Sequence, residues 1–217
     1  MGKKISQEEI VMALVDISFF KSTGATSLSD IAERLGIKKA SLYNHFESRE
    51  AIVKAAFKFC GEYLASITFL PPDLESVTKK YSAASVLKGI TKRYFKMHEK
   101  RPLFQIYTFV ESQKYFSKDA AEIVVNEEKR LHEQTETLFK SLANNGKIFL
   151  PEAYKNSCIQ WLLAGITSLL SDQLMQKKRL IVENPASGEG ELFSLPVDDS
   201  ALEELDRLID DYTRRIG

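Results

Sequence analysis

Cysteine is nearly missing from this chain. Cys60 and Cys158 are its only two, both in apolar helical surroundings, which excludes a disulfide framework and leaves two buried, reduced thiols as the expectation. Proline and glycine are scarce as well, six and ten in 217 residues, so the turn density of a β-rich or low-complexity protein is absent. No apolar run reaches membrane-spanning length: that from Trp161 to Leu170 is too short, and polar residues close it. Gly2-Lys3-Lys4 passes at once into the polar Ser6-Gln7-Glu8-Glu9, without the apolar core of a secretory signal. A cytoplasmic protein with no membrane partner is expected.

The constellations that carry catalysis are also missing. There is no Gly-rich phosphate loop, no nucleophile elbow and no paired-cysteine motif. His132-Glu133-Gln134-Thr135-Glu136 superficially resembles the zinc motif His-Glu-x-x-His. Its second ligand position is Glu136, and no third ligand is evident, so a solvated charged helix face is the reading. The sequence therefore predicts no enzyme, no metal and no cofactor.

An excess of one charge sign is lacking too, with 30 Lys and Arg against 30 Asp and Glu. The distribution matters more than the sum. Between Lys38 and Lys58, five cations (Lys38, Lys39, Arg49, Lys54 and Lys58) outnumber Glu47 and Glu50. From Val182 onward ten acidic residues face only Arg207, Arg214 and Arg215. The chain is polarised, with a modestly basic head and an acidic tail region.

Helical spacing fills what remains. Ile10, Ala13, Leu14, Ile17 and Phe20 form a stripe on a helix from about Ser6 to Lys21, ended by Ser22-Thr23-Gly24. Residues 26–50 then read as two short helices about a tight Gly36-Ile37 turn. Ser27 is placed to cap the first, with Asp30 three residues on, and Leu28, Ile31, Ala32 and Leu35 share one face. Gly36 follows the last apolar position, where a left-handed backbone ends a helix at least steric cost. The second helix is expected from Lys38 to Phe46, with Ala40 at a close crossing and Leu42 and Phe46 inward. Lys38, Lys39, Ser41, Tyr43, Asn44 and His45 then face outward, donors suited to phosphates and base edges.

The run Ser27-Leu28-Ser29-Asp30-Ile31-Ala32, Leu35-Gly36-Ile37, Ser41-Leu42-Tyr43-Asn44-His45-Phe46 and Arg49-Glu50-Ala51-Ile52 resembles the DNA-binding domain of TetR-family transcriptional repressors. Two positions depart from the family pattern: Lys38 where a Ser cap is frequent and Ala40 where Gly is common. The resemblance implies groove contacts from Lys39, Ser41, Tyr43 and Asn44, with Lys38 as a cation near the groove. It implies phosphate contacts from Tyr43, His45, Arg49, Ser27 and Thr26, while Lys3 and Lys4 are read either as contacts to the minor groove or a phosphate or as a basic disordered tip.

Beyond Ser48, whose hydroxyl is placed to cap a fourth helix, the chain reads as long helices to its end, interrupted at Pro71-Pro72, at Lys100-Arg101-Pro102, at Asn144-Asn145-Gly146 and by a Glu183–Val197 loop. Pro151 opens the most hydrophobic of them, expected to run to about Lys178. Ile159, Leu162, Ile166 and Leu169 there, with Leu205 and Ile209 near the end, are the expected dimer interface, and the resemblance implies a four-helix seam between two copies. Tyr94, Met97, Phe104, Tyr107, Phe139 and Trp161 are candidates to line a ligand cavity or, alternatively, to pack a simple core.

The expected fold is all-α: an N-terminal three-helix helix-turn-helix domain over residues 1–47, joined to a helical ligand-binding and dimerisation domain over residues 48–217. The expected partners are double-stranded DNA carrying a palindromic operator, a second copy of the chain, and an unknown small-molecule ligand. A repressor released by that ligand is one reading. A DNA- or protein-binding adaptor without ligand control is the other.

Overall fold

A computed structural model describes residues 5–184 and 200–216. Lys3, Lys4 and the expected loop beyond Asn184 lie outside these residues. Every regular element among the described residues is a helix, and the fold is all-α. The helices are α1 (Gln7–Lys21), α2 (Leu28–Leu35), α3 (Lys39–Leu42), α4 (Arg49–Ser66), α5 (Leu74–Lys80), α6 (Ala83–His98), α7 (Leu103–Gln113), α8 (Lys118–Asn144), α9 (Glu152–Glu183) and α10 (Ser200–Ile216). They fall into two compact units, Met1–Ile67 with Lys100–Glu127, and Thr68–Glu99 with Glu128–Gly217.

In the first unit α1 packs against α2, α4 and α7, and α4 also packs on α7. Ser6 starts α1 with a reciprocal capping box to Glu9. Burial then extends beyond the expected stripe: Val11, Val15 and Phe19 join Ile10, Ala13 and Leu14 inside, while Phe20 is exposed. A helix touching three neighbours cannot confine its apolar side chains to one narrow face. Aromatic contacts tie the layers together, Phe19 edge-on to Phe104 at 5.0 Å and Phe57 beside Phe109 at 5.1 Å.

In the second unit α6 packs on α5, α9 and α10, and α9 packs on α10. Val86, Leu87, Ile90, Tyr94 and Phe95 of α6 are buried, as are Ile159, Leu162, Ile166, Leu170 and Leu174 of α9 and Leu205 and Ile209 of α10. Lys88 to Asp210 (2.7 Å) and Lys92 to Asp206 (2.6 Å) join α6 to α10. Gly165 lies where α9 meets α10: a Cβ there would lie 2.7 Å from Leu208 Cδ1, so that leucine would have to turn aside. Ala164 beside it is exposed.

In the second unit two elements differ from expectation. The short α5 follows Pro71-Pro72 after Asp73, where only a break is expected, and its seven residues are held by Thr78 bonding Ser141 of α8 (2.7 Å). The α9 helix runs on to Glu183, past the expected end near Lys178, with Arg179 and Glu183 paired at 2.7 Å across its last turn.

Candidate nucleic-acid interface

The entry to α2 is built from residues adjacent in sequence. Ser27 Oγ accepts the Asp30 N–H (3.2 Å), and the Asp30 carboxylate accepts the Ser27 N–H (2.7 Å). Lys21 Nζ lies 2.7 Å from the same carboxylate. The lysine bond first, and the Ser27 bonds after it, hold the Asp30 carboxyl down at about 2, so the cap stays charged. At the other end Gly36 takes the left-handed φ of +67°. Its N–H bonds Glu33 O (3.0 Å) while the Ile37 N–H bonds Ala32 O (2.9 Å). That pair of bonds is a Schellman ending, and it turns the chain sharply into α3.

The following helix is shorter than its sequence suggests. Lys38 stands at the cap position and makes no side-chain cap bond, and α-helical geometry covers only Lys39–Leu42. The chain continues in tighter turns, with the N–H groups of Tyr43, Asn44 and His45 bonding Ala40 O, Ser41 O and Leu42 O at 3.3, 3.3 and 3.0 Å. Without a cap, the nucleation cost of a longer helix is not offset locally. Leu42 anchors the turn in the core, while Phe46 is half-buried. Lys38, Lys39, Tyr43 and Asn44 are exposed, and Ser41 and His45 are half-buried beside them. Ala40 is exposed too and takes no part in a helix crossing.

Two expected phosphate contacts are engaged inside the fold. Thr26 is only 1% exposed, and its hydroxyl donates to Ser22 O at 2.8 Å. The Arg49 guanidinium donates from Nε to Thr26 O (2.8 Å) and from Nη2 to Thr23 O. Both side chains face the turn between α1 and α2, which local sequence does not reveal. Ser27 is exposed and keeps its hydroxyl hydrogen while capping α2. Gln7 is a contributor that sequence reasoning missed, because its amide donates to His45 O (2.9 Å) across 38 positions.

The remaining candidates scatter. Tyr94 is buried against Phe69 and His98, with ring centroids 5.4 and 4.2 Å away, and Met97 is half-buried beside Arg93. Phe139 is buried near Tyr212. Phe104 lies in the core of the first unit, and Tyr107 on the same helix is half-buried. Trp161 is 77% exposed and so lines no enclosed cavity of the single chain. Of the expected dimer residues, Ile159, Leu162, Ile166, Leu205 and Ile209 are buried within their own chain and Leu169 is half-buried. The exposed large apolar side chains of α9 are instead Tyr154, Trp161, Met175, Leu180 and Val182. Four of them, Tyr154, Trp161, Met175 and Val182, share a seven-residue register in which Ser168 takes the position between Trp161 and Met175.

Burial pushes the Cys60 thiol up to about 12, which keeps it protonated, while Cys158 is half-buried. Glu136, the residue at the second position of the zinc-like motif, is paired with Lys155 (2.9 Å) and Lys140 (3.2 Å). Among the described residues, no group of three or more His, Cys, Asp or Glu side chains is placed to hold a metal ion. No helix among them is long and apolar enough to cross a membrane.

Known proteins match this chain in two ways. Residues 21–56 match the family model for bacterial regulatory proteins of the tetR family. The biofilm operon icaADBC HTH-type negative transcriptional regulator IcaR of Staphylococcus aureus (strain Newman) is 36% identical over 64 residues, 30% of this chain and 34% of IcaR. The chain thus spans about a third of the length of the curated relatives it matches. By fold, it is similar to a structure from Mesorhizobium loti MAFF303099 assigned to the TetR family of transcriptional regulators, with a TM-score of 0.65 at 16% identity, over 97% of this chain and 96% of that one. A second neighbour, assigned as a transcriptional regulator from Saccharomonospora viridis and solved in complex with choline, has a TM-score of 0.58 at 12% identity over 96% and 95% of the chains. The matched segment is the capped α2, the Gly36 turn, α3 and the start of α4, set in an all-α fold, and it carries the helix-turn-helix pattern of the tetR family of bacterial regulatory proteins.

Proposed function

We propose that the chain represses transcription in the cytoplasm by binding a palindromic operator as a homodimer, and that a small molecule releases it. The observation that carries this reading is the exposed row Lys38, Lys39, Tyr43 and Asn44, presented on a turn anchored by buried Leu42 and braced by the capped α2. Lysines and a tyrosine suit phosphate oxygens, an asparagine amide suits an adenine edge, and exposed Ala40 lets the backbone approach the groove. Residues 1–47 are the DNA-reading part in this proposal. Lys38, Lys39, Ser41, Tyr43 and Asn44 serve the groove, and Ser27 and His45 serve phosphates. Reading both halves of a palindrome needs a two-fold pair of heads, one turn of DNA apart or a multiple of it.

The proposed dimer face is the outward side of α9, with Tyr154, Trp161, Met175 and Val182 exposed along it and Ile159, Leu162 and Ile166 supporting it from within. The effector is proposed from the resemblance to the family. Tyr94, Met97 and Phe139 in the second unit remain its candidate contacts, while Phe104 and Tyr107 pack within the first unit and Trp161 belongs to the dimer face. Release then follows if the effector binds a non-reading conformation more tightly than the reading one. Choline in a fold neighbour at 12% identity carries no ligand to this chain.

Selection of genomic DNA fragments by the purified protein at physiological salt tests the reading, beside the double variant Tyr43→Ala, Asn44→Ala. A two-fold symmetric motif enriched by the natural protein and lost by the variant is expected. Fragments without a common motif would transfer the chain to the adaptor reading.

A further inference from the structure

We propose that Arg49 is a positioning residue for DNA reading, closing the base of the helix-turn-helix like a clasp, and that it makes no phosphate contact. The inference rests on the DNA-binding reading above. Arg49 is the first residue of α4, and its guanidinium bonds Thr26 O from Nε (2.8 Å) and Thr23 O from Nη2. Those carbonyls flank the turn that delivers the chain into α2. Thr23 O already accepts the Thr26 N–H (3.2 Å), so the arginine seals a turn closed once by its own backbone. The turn needs sealing: Ser22 holds a φ of +75°, a left-handed conformation that a residue with a Cβ keeps only where its surroundings enforce it.

Residues 27–48 therefore form a loop whose two ends Arg49 ties together. Within that loop α2 is capped at both ends, but α3 is one α-helical turn with no side-chain cap and one fully buried anchor, Leu42. A single uncapped turn has little stability of its own, so its direction follows from where its flanking segments are held. Arg49 holds the entrance of α2 against the start of α4. Gln7, bonding His45 O at 2.9 Å, holds the exit of the reading segment against α1. The fork geometry matters: Arg49 uses two nitrogens pointing in different directions, which a lysine ammonium cannot reproduce from one point.

That difference separates a clasp from a phosphate contact. Two variants, Arg49→Lys and Arg49→Gln, are titrated with a duplex fragment recovered by the natural protein, across a series of salt concentrations. A clasp requires Arg49→Lys to lose affinity on the order of tenfold or more, because its charge remains but its fork is gone. It also requires both variants to keep the natural slope of affinity against salt. A phosphate contact would leave Arg49→Lys near natural affinity and lower the slope by about 0.9 for Arg49→Gln, and either result would overturn the proposal.

Hydrogen exchange on the free variants gives a reading independent of DNA. The amides of Ile31, Ala32, Ile37 and Leu42 should exchange faster than in the natural protein, with those of α6 and α9 unchanged. Unaltered protection in α2 and α3 would refute the clasp. Loss of far-UV ellipticity by the whole chain would refute it too, since a positioning residue leaves the other helices formed. Absence of any bound fragment for the natural protein would instead sink the DNA-binding reading, and the exchange data would still decide the clasp.

Discussion

Replacing Trp161 with alanine should dissociate the proposed dimer without unfolding the protomer. The indole is 77% exposed on α9, and Tyr154, Met175 and Val182 are exposed in the same heptad register. Twenty-eight residues separate Tyr154 from Val182, so the face extends about 42 Å along the helix at about 1.5 Å per residue. Burying an aromatic side chain removes roughly 150–250 Å² from water. With about three quarters of it still exposed, dimer formation has roughly 150 Å² left to cover, worth about 4 kcal/mol at about 25 cal/mol per Å². Alanine retains the Cβ, which leaves a loss near 3 kcal/mol per copy, or about two powers of ten in dissociation constant. Two copies meet in a symmetric dimer, so the combined effect lies between about two and four powers of ten, depending on how far the truncations add. Sedimentation velocity over a concentration series reads this directly. Trp161 is the only tryptophan in the chain, so its emission maximum should shift to the blue as the natural protein associates. A natural protein that stays monomeric with red-shifted emission, or a variant dimer of unchanged affinity, would refute the assignment of this face.

Further predictions concern stability. His98 is 1% exposed, and its burial, opposed by the bond to Tyr94 O, lowers it from 6.5 to about 4. The unfolded chain therefore binds a proton between those values that the folded chain refuses. The stability tied to neutral His98 is fully present above pH about 6.5 and disappears as pH falls to about 4, on the order of 3 kcal/mol in all. Urea titrations of the natural protein and His98→Gln should show their difference shrinking across that window, and parallel pH profiles would contradict it. Gly36→Ala should destabilise the head by about 1 kcal/mol, the cost of a Cβ at positive φ. Nothing lies within 4 Å of the added atom to change that figure. An unchanged melting midpoint would show that the turn relaxes.

Much of the head is legible in the amino-acid sequence, because its instructions are local. The caps at Ser27 and Ser48, the left-handed Gly36 and the inward Ile31, Ala32 and Leu42 depend on neighbours three or four positions away. Position along one helix settles them. The same local logic overextends α3, since an uncapped start at Lys38 matters more than the outward donors that follow it. It also passes over α5, a short helix whose Thr78 is held by Ser141, 63 residues away.

Partner choice is a different kind of fact. Thr26 and Arg49 carry groups equally fit for a phosphate or for a backbone carbonyl; Thr26 turns to Ser22 O four positions back, and the return of α4 beside the α1–α2 turn takes Arg49 to the carbonyls of Thr23 and Thr26. On α9 the apolar residues are plain in the sequence, yet which side faces α6 and α10 and which faces outward depends on how those helices pack. That packing puts Ile159, Leu162 and Ile166 inside and leaves Trp161 out. The sequence by itself therefore determined the helical class and the capped helix-turn-helix. The tertiary structure decided which polar and apolar groups remain free for a partner, because a side chain's availability is set by segments distant in sequence that compete for the same atoms.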